Sequence, residues 1–80
     1  MTDWNLLFTR IRMSHRMTHL DVVECCRLGG LAVTRSRAEG WGRRDERRHQ
    51  RMREADFAAF TAGLVDWSRA AYAEGGGDGE

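Results

Sequence analysis

An all-α fold, a compact bundle of about four short helices, is what this sequence predicts, and three observations predict it. Proline is absent. Most glycines fall in clusters, and apolar residues recur three and four positions apart instead of alternating.

The first helix opens at Asp3, whose carboxylate suits the N-cap position. Trp4, Leu7, Phe8 and Ile11 then fall at i, i+3, i+4 and i+7 and share a face, which predicts helix to about His15. The second start is Thr18-His19-Leu20-Asp21, a Thr-x-x-Asp capping box in which Thr18 accepts from an orphan N–H and the acid reaches back. Met17 and Val22 flank it as a hydrophobic staple, and Val22, Val23, Cys25, Cys26 and Leu28 supply the buried side. Gly29-Gly30 offers a left-handed end to this helix.

Leu31-Ala32-Val33 is too short to be more than a packed connector. Thr34 or Ser36 opens a third helix, Ser36 standing in Ser-x-x-Glu spacing with Glu39, and Ala38 and Trp41 point inward. Gly40 and Gly42 each weaken this helix by roughly 1 kcal/mol relative to alanine, so it is expected to be short. From Trp41 to Glu54 the sequence WGRRDERRHQRMRE holds six arginines in fourteen positions. Arg43, Arg47 and Arg51 are four apart, as are Arg44 and Arg48, and like charges at that spacing destabilise a helix by roughly a few tenths of a kcal/mol each. A charged loop with at most a helical turn is expected there. The final helix carries Phe57, Phe60, Leu64, Trp67 and Ala71 on one stripe and ends at Gly75. The acidic, Gly-rich stretch 74–80 has nothing to bury and reads as a flexible tail, leaving one helical domain over 1–73.

The formal charge of +1 hides a segregation. Arg10 through Arg53 holds twelve arginines against five acids, whereas from Glu54 onward one arginine meets six acids. A basic middle with an acidic end attracts anionic partners locally while screening itself against nonspecific ones. Cys25 and Cys26 are adjacent and cannot close an ordinary disulfide loop with each other, which argues for a reducing compartment. No charged-then-apolar leader appears, nor an apolar run near the ~20 residues a membrane span needs, so a cytoplasmic location without a membrane partner is expected. A chain this short buries only roughly 60% of its unfolded surface, which makes a second copy a useful source of apolar contact.

The order of signals resembles the YehS-like family of uncharacterised bacterial proteins. The residues that carry the likeness are Asp21-Val-Val, Leu28-Gly29, Val33-Thr34, Trp41 followed by Arg43-Arg44-Asp45-Glu46, then Phe60 and Gly63-Leu64. Leu7, Phe8, Ile11 and Arg12 fit the family's opening pattern, and the likeness covers about Asn5 to Val65. Gly42 stands where the family has Leu and Ala62 where it has Asn. The family's acidic loop is here Arg47-Arg48-His49-Gln50-Arg51. Such proteins carry two copies of the unit in tandem, and this chain has one. The resemblance therefore implies an apolar face left bare in a lone copy, and a homodimer to cover it.

The chemistry points to binding rather than catalysis. Cys26, His49 and scattered acids form no nucleophile-and-base motif, so no enzymatic role is expected, and no cofactor is implied. His15 and His19 are four apart, a metal-binding spacing on one helix, but Thr18 caps a new helix between them; no metal site is expected. The cysteines read as small buried hydrophobes, and Trp41 reads as core rather than a stacking platform.

The arginines admit a solvated face paired with Asp45 and Glu46. The leading functional expectation is a small regulatory module docking on a protein, of transcription or defence machinery, through Arg43, Arg44, Arg47, Arg48 and Arg51, since arginine forms bidentate pairs with carboxylates. Its scale resembles that of phage- or plasmid-borne regulators. The alternative is a DNA- or RNA-binding regulator with a helix-turn-helix-like segment presenting Arg35 and Arg37, together with Arg43 and Arg47. The connector from Leu28 to Thr34 is longer than the usual turn of that motif. Both readings assume that the apolar side chains from Trp4 to Trp67 are consumed in helix packing.

Overall fold

The computed structural model describes residues 2–45 and 47–76, with side chains through residue 70. Four α-helices and no strand occur among the described residues: α1 Trp4–Ser14, α2 His19–Leu28, α3 Arg35–Gly42 and α4 Glu54–Gly76. Residues 77–80, the last part of the expected tail, lie outside the described residues, as does Glu46.

Local capping chemistry sets the helix starts. Asp3 accepts the Leu6 N–H ahead of α1. Thr18 and Asp21 form the reciprocal capping box, at 3.1 and 2.9 Å. Of the two expected starts for α3, Thr34 is the one used: its hydroxyl accepts the Arg37 N–H, while Glu39 turns to Arg35 instead of capping. Asp56 reaches back to accept the Arg53 N–H at the head of α4.

Two helices end on the same device. Beyond α2, Gly30 takes a positive φ of 92°, its N–H donates to the Arg27 carbonyl, and the Leu31 N–H donates to Cys26, a Schellman closure. Beyond α1, Arg16 adopts φ 53° with the matching bonds from Arg16 to Met13 and Met17 to Arg12. A side chain in that region costs about 1–2 kcal/mol. Arg12 offsets part of this by donating its guanidinium to the Met17 carbonyl at 3.0 Å.

The packing centre is aromatic. Phe8, Trp41 and Phe60 are almost wholly buried, with Phe8 edge-on to Trp41 at 5.5 Å and to Phe60 at 5.0 Å. Burying each contributes about 2–3 kcal/mol, and edge-to-face geometry adds a little more. Met17, Val22, Cys25, Cys26, Ala38 and Met52 complete the core.

Helices α2 and α4 meet backbone to backbone. A Cβ at Gly63 would overlap the Cys25 carbonyl, and one at Gly29 would overlap the Ala59 carbonyl. Since 25 lies beside 63 and 29 beside 59, the two helices run antiparallel. The glycines thus serve close approach as well as helix termination.

The apolar side chains are not all consumed. Leu28, expected on the buried side of α2, is exposed, as are Leu6, Met13, Leu20 and Val65, and Val23 is only half-buried. At about 100° per residue Leu28 lies roughly 120° from Val22 and roughly 160° from Cys26 round the helix, which puts it beyond the edge of the buried face. No helix among the described residues is long and apolar enough to cross a membrane.

Candidate partner-docking surface

The arginine-rich segment is a loop, and the sequence fastens it to the bundle at three places. Gly40 provides the first. Its carbonyl accepts the Gln50 N–H at 2.9 Å. A Cβ there would overlap the Gln50 side chain and lie 2.9 Å from the Arg48 carbonyl, so only glycine lets the loop return across α3. Gly40 is therefore a seat for the loop, beyond any weakening of the helix.

Asn5 provides the second. From the first turn of α1 its amide donates to the Trp41 and Gln50 carbonyls at 2.9 Å each, and its carbonyl oxygen accepts the Met52 N–H at 2.9 Å. The third is Met52, whose side chain is 1% exposed and anchors the loop in the core. Between these points the turn closes on itself. Asp45 accepts the Arg48 N–H through its carboxylate and the His49 N–H through its carbonyl, and the His49 imidazole bonds the Arg43 carbonyl at 2.8 Å.

Arg43, Arg44, Arg47, Arg48 and Arg51 are all exposed on this mount. They do not form one cluster. Arg43, Arg47 and Arg48 border a notch against α3, with Ser36, Glu39 and Gln50. Arg44, with His49 and the other side of Arg43, borders a groove beside Asn5 and Thr9 of α1. Arg51 stands apart, next to Asp3 and Trp4. Arg44, Arg47, Arg48 and Arg51 make no ion pair among the described residues. Of the pairing expected with Asp45 and Glu46, Asp45 is instead engaged with backbone, and Glu46 lies outside the described residues.

The set expected for nucleic acid sits differently. Arg35 is 3.0 Å from Glu39, Arg43 is 3.9 Å from the same carboxylate, and Arg37 is 3.5 Å from Asp56. Arg37 also lies 5.9 Å over the Trp41 ring. Its partner Asp56 is 3% exposed, so this cation satisfies a buried carboxylate. Arg47 alone of the four makes no ion pair among the described residues.

The remaining candidates fall elsewhere. Trp41 is 1% exposed and edge-packed on Phe8, which makes it core. His15 closes the end of α1, whereas His19 sits in the first turn of α2 with its ring 3.9 Å from Glu39. The thiols of Cys25 and Cys26 are buried, and burial is the main cause that pushes them up to about 12 and about 11. A thiol so held is a poor nucleophile and a poor metal ligand near neutral pH.

Asn5 and Asp56 are organisers that the residue pattern left unassigned, and Glu39, placed by that pattern with Ser36, pairs with Arg35 and Arg43 instead. Asn5 offered one signal, a carboxamide set between Trp4 and the apolar Leu7-Phe8 pair. Asp56 offered another, four residues before Phe60 on the same helical face. Compared with family models, with curated proteins and with solved structures, the chain matches none.

Proposed function

We propose that this chain is a small non-enzymatic regulatory module that docks on an acidic surface of a protein partner through its arginine loop. One observation carries the reading. Four arginines without an ion pair among the described residues project from a backbone pinned by Asn5, Gly40 and Met52, so the mount is ordered before the partner arrives. Binding then costs chiefly the ordering of side chains. The exposed Leu6, Met13, Leu20, Leu28 and Val65 support the accompanying proposal of a homodimer, and the YehS-like affiliation is part of the same reading.

The nucleic-acid reading is second, because Glu39 and Asp56 already take up the cations of α3. Two measurements separate them. Capture of a partner by the native chain is expected to be lost with Arg47→Glu/Arg48→Glu, and unchanged capture overturns the docking surface. Binding to random duplex that falls with salt on a log–log slope near −0.9 per phosphate contact would instead favour nucleic acid.

A further inference from the structure

The notch between α3 and the loop is more specific than a basic surface. Its rim is formed by Arg43, Arg47 and Arg48, with the Ser36 hydroxyl and the Gln50 carboxamide beside them and Glu39 on the α3 wall. Among the described residues the lining side chains carry three guanidinium charges and one carboxylate, a net charge of +2. Glu39 is drawn back by Arg35, whose Nε lies 3.0 Å from its oxygen, and its side chain is mostly covered. Arg43 reaches the same carboxylate at 3.9 Å, which leaves Arg47 and Arg48 as the notch guanidiniums without an ion pair among the described residues, with Ser36 and Gln50 beside them as neutral donors.

We propose that this notch binds a phosphoryl group displayed on a side chain of the partner protein, a proposal that rests on the docking reading and specifies its chemistry. A phosphomonoester carries about −1.5 to −2 charges at pH 7 and three acceptor oxygens, which matches the net +2 of the described lining and the several donor side chains around it. A single carboxylate or a phosphodiester carries one charge and leaves a guanidinium uncompensated. Arginine is suited to the task because its planar fork donates two parallel hydrogen bonds to adjacent oxygens. The Gln50 N–H bond to Gly40, the Arg48 N–H bond to Asp45 and the Asn5 bond to the Gln50 carbonyl hold the backbone positions from which these donors spring.

The test is a titration of the isotopically labelled full chain, followed by amide resonances at fixed pH and fixed ionic strength. Inorganic phosphate and sulfate, as dianions, are expected to give saturable shifts centred on Ser36, Arg48 and Gln50, and acetate is not. Arg47→Gln/Arg48→Gln, two exposed changes, is expected to weaken the phosphate response at least about tenfold with the spectrum otherwise unchanged. Acetate acting as strongly as phosphate, equal shifts around Arg10, Arg16 and Arg69, or full affinity in the double variant would each overturn the proposal.

A captured partner then separates this proposal from the one beneath it. Capture abolished by phosphatase treatment of the partner supports the phosphoryl site. Capture that survives phosphatase but is lost with Arg47→Glu/Arg48→Glu keeps the docking surface and removes the phosphoryl site. Dianion binding in the notch with capture unaffected by the charge reversal keeps the oxyanion site and removes protein docking, and with it the phosphoryl group as a partner's side chain.

Discussion

Asn5 satisfies three backbone groups of another segment with one carboxamide. Replacing it with alanine leaves the Trp41 and Gln50 carbonyls and the Met52 N–H short of partners, at a cost of about 2–3 kcal/mol. Urea denaturation reads that loss directly. Asn5→Asp should fare little better, because it keeps the acceptor for Met52 but turns an anionic oxygen toward two carbonyls. The arginines divide by the same logic. Arg37→Ala strips a guanidinium from the buried Asp56 and uncovers the Trp41 face, so a loss of about 1–3 kcal/mol is expected, whereas Arg47→Ala should stay within about 0.5 kcal/mol of the native chain. The cysteines give a pH prediction. Both thiols hold their protons more tightly folded than unfolded, having risen from an ordinary value of 9.0 to about 12 and about 11. Their contribution is therefore complete below about pH 9 and is lost as pH rises from there toward 11–12. At pH near 8 a thiol reagent should label Cys25 and Cys26 only as fast as the chain opens.

At the scale of elements, two glycines two positions apart in α3 should behave oppositely. Gly40→Ala drives a methyl into Gln50 and the Arg48 carbonyl and should destabilise by about 1–3 kcal/mol, whereas a Cβ at Gly42 meets nothing within 4 Å, and Gly42→Ala should stabilise by about 0.4–1 kcal/mol. Thermal melts of the two variants that moved the same way would contradict this account of α3. Gly63→Ala, aimed at the Cys25 backbone, should be worse than either, because neither helix can yield without moving the other. The pair also shows what could be read in advance. Both glycines look alike in the sequence, as residues of low helix propensity, since the reason for one of them arrives from eight to ten residues further along the chain. The starts of α1 and α2 and the end of α2 are legible because capping is local chemistry: Asp3, Thr18 with Asp21, and Gly30 each act within a turn of themselves. The loop's attachment was not legible, because Asn5 reaches partners 36 to 47 positions away. The core role of Met52, alone among arginines, and the pairing of Arg35, Arg37 and Arg43 depend on that return path and were hidden with it. The five loop arginines were placed outside correctly, but their split into a notch, a groove and an isolated residue follows from the turn at Asp45.

For the molecule as a whole, charge and apolar surface pull on different assemblies. Leu6, Met13, Leu20, Leu28 and Val65, exposed on α1, α2 and α4, belong to the proposed self-association, and the arginine loop to the proposed partner contact. Salt should separate the two. Raising ionic strength is expected to weaken partner capture and to leave or strengthen a dimer held by apolar contact. Light scattering across concentration reads the second effect, and a strictly monomeric mass at the highest concentration removes the homodimer.

The reach of Asn5 also fixes an order of events. Helices α2, α3 and α4 can find one another through shorter connections and Gly40 can seat the loop without α1, but the Asn5 clasp closes only when α1 swings in across a span of roughly 45 residues, a late step because the chain entropy of so long a closure must be met first. Run backwards, undocking of α1 would open the Asn5 clasp and uncover Phe60, while the Cys25–Gly63 crossing stays packed. Amide exchange at Met52, whose N–H donates to Asn5, should then outpace exchange at the α2–α4 crossing, and the mount of the proposed binding surface would be seen to melt away before the scaffold that carries it.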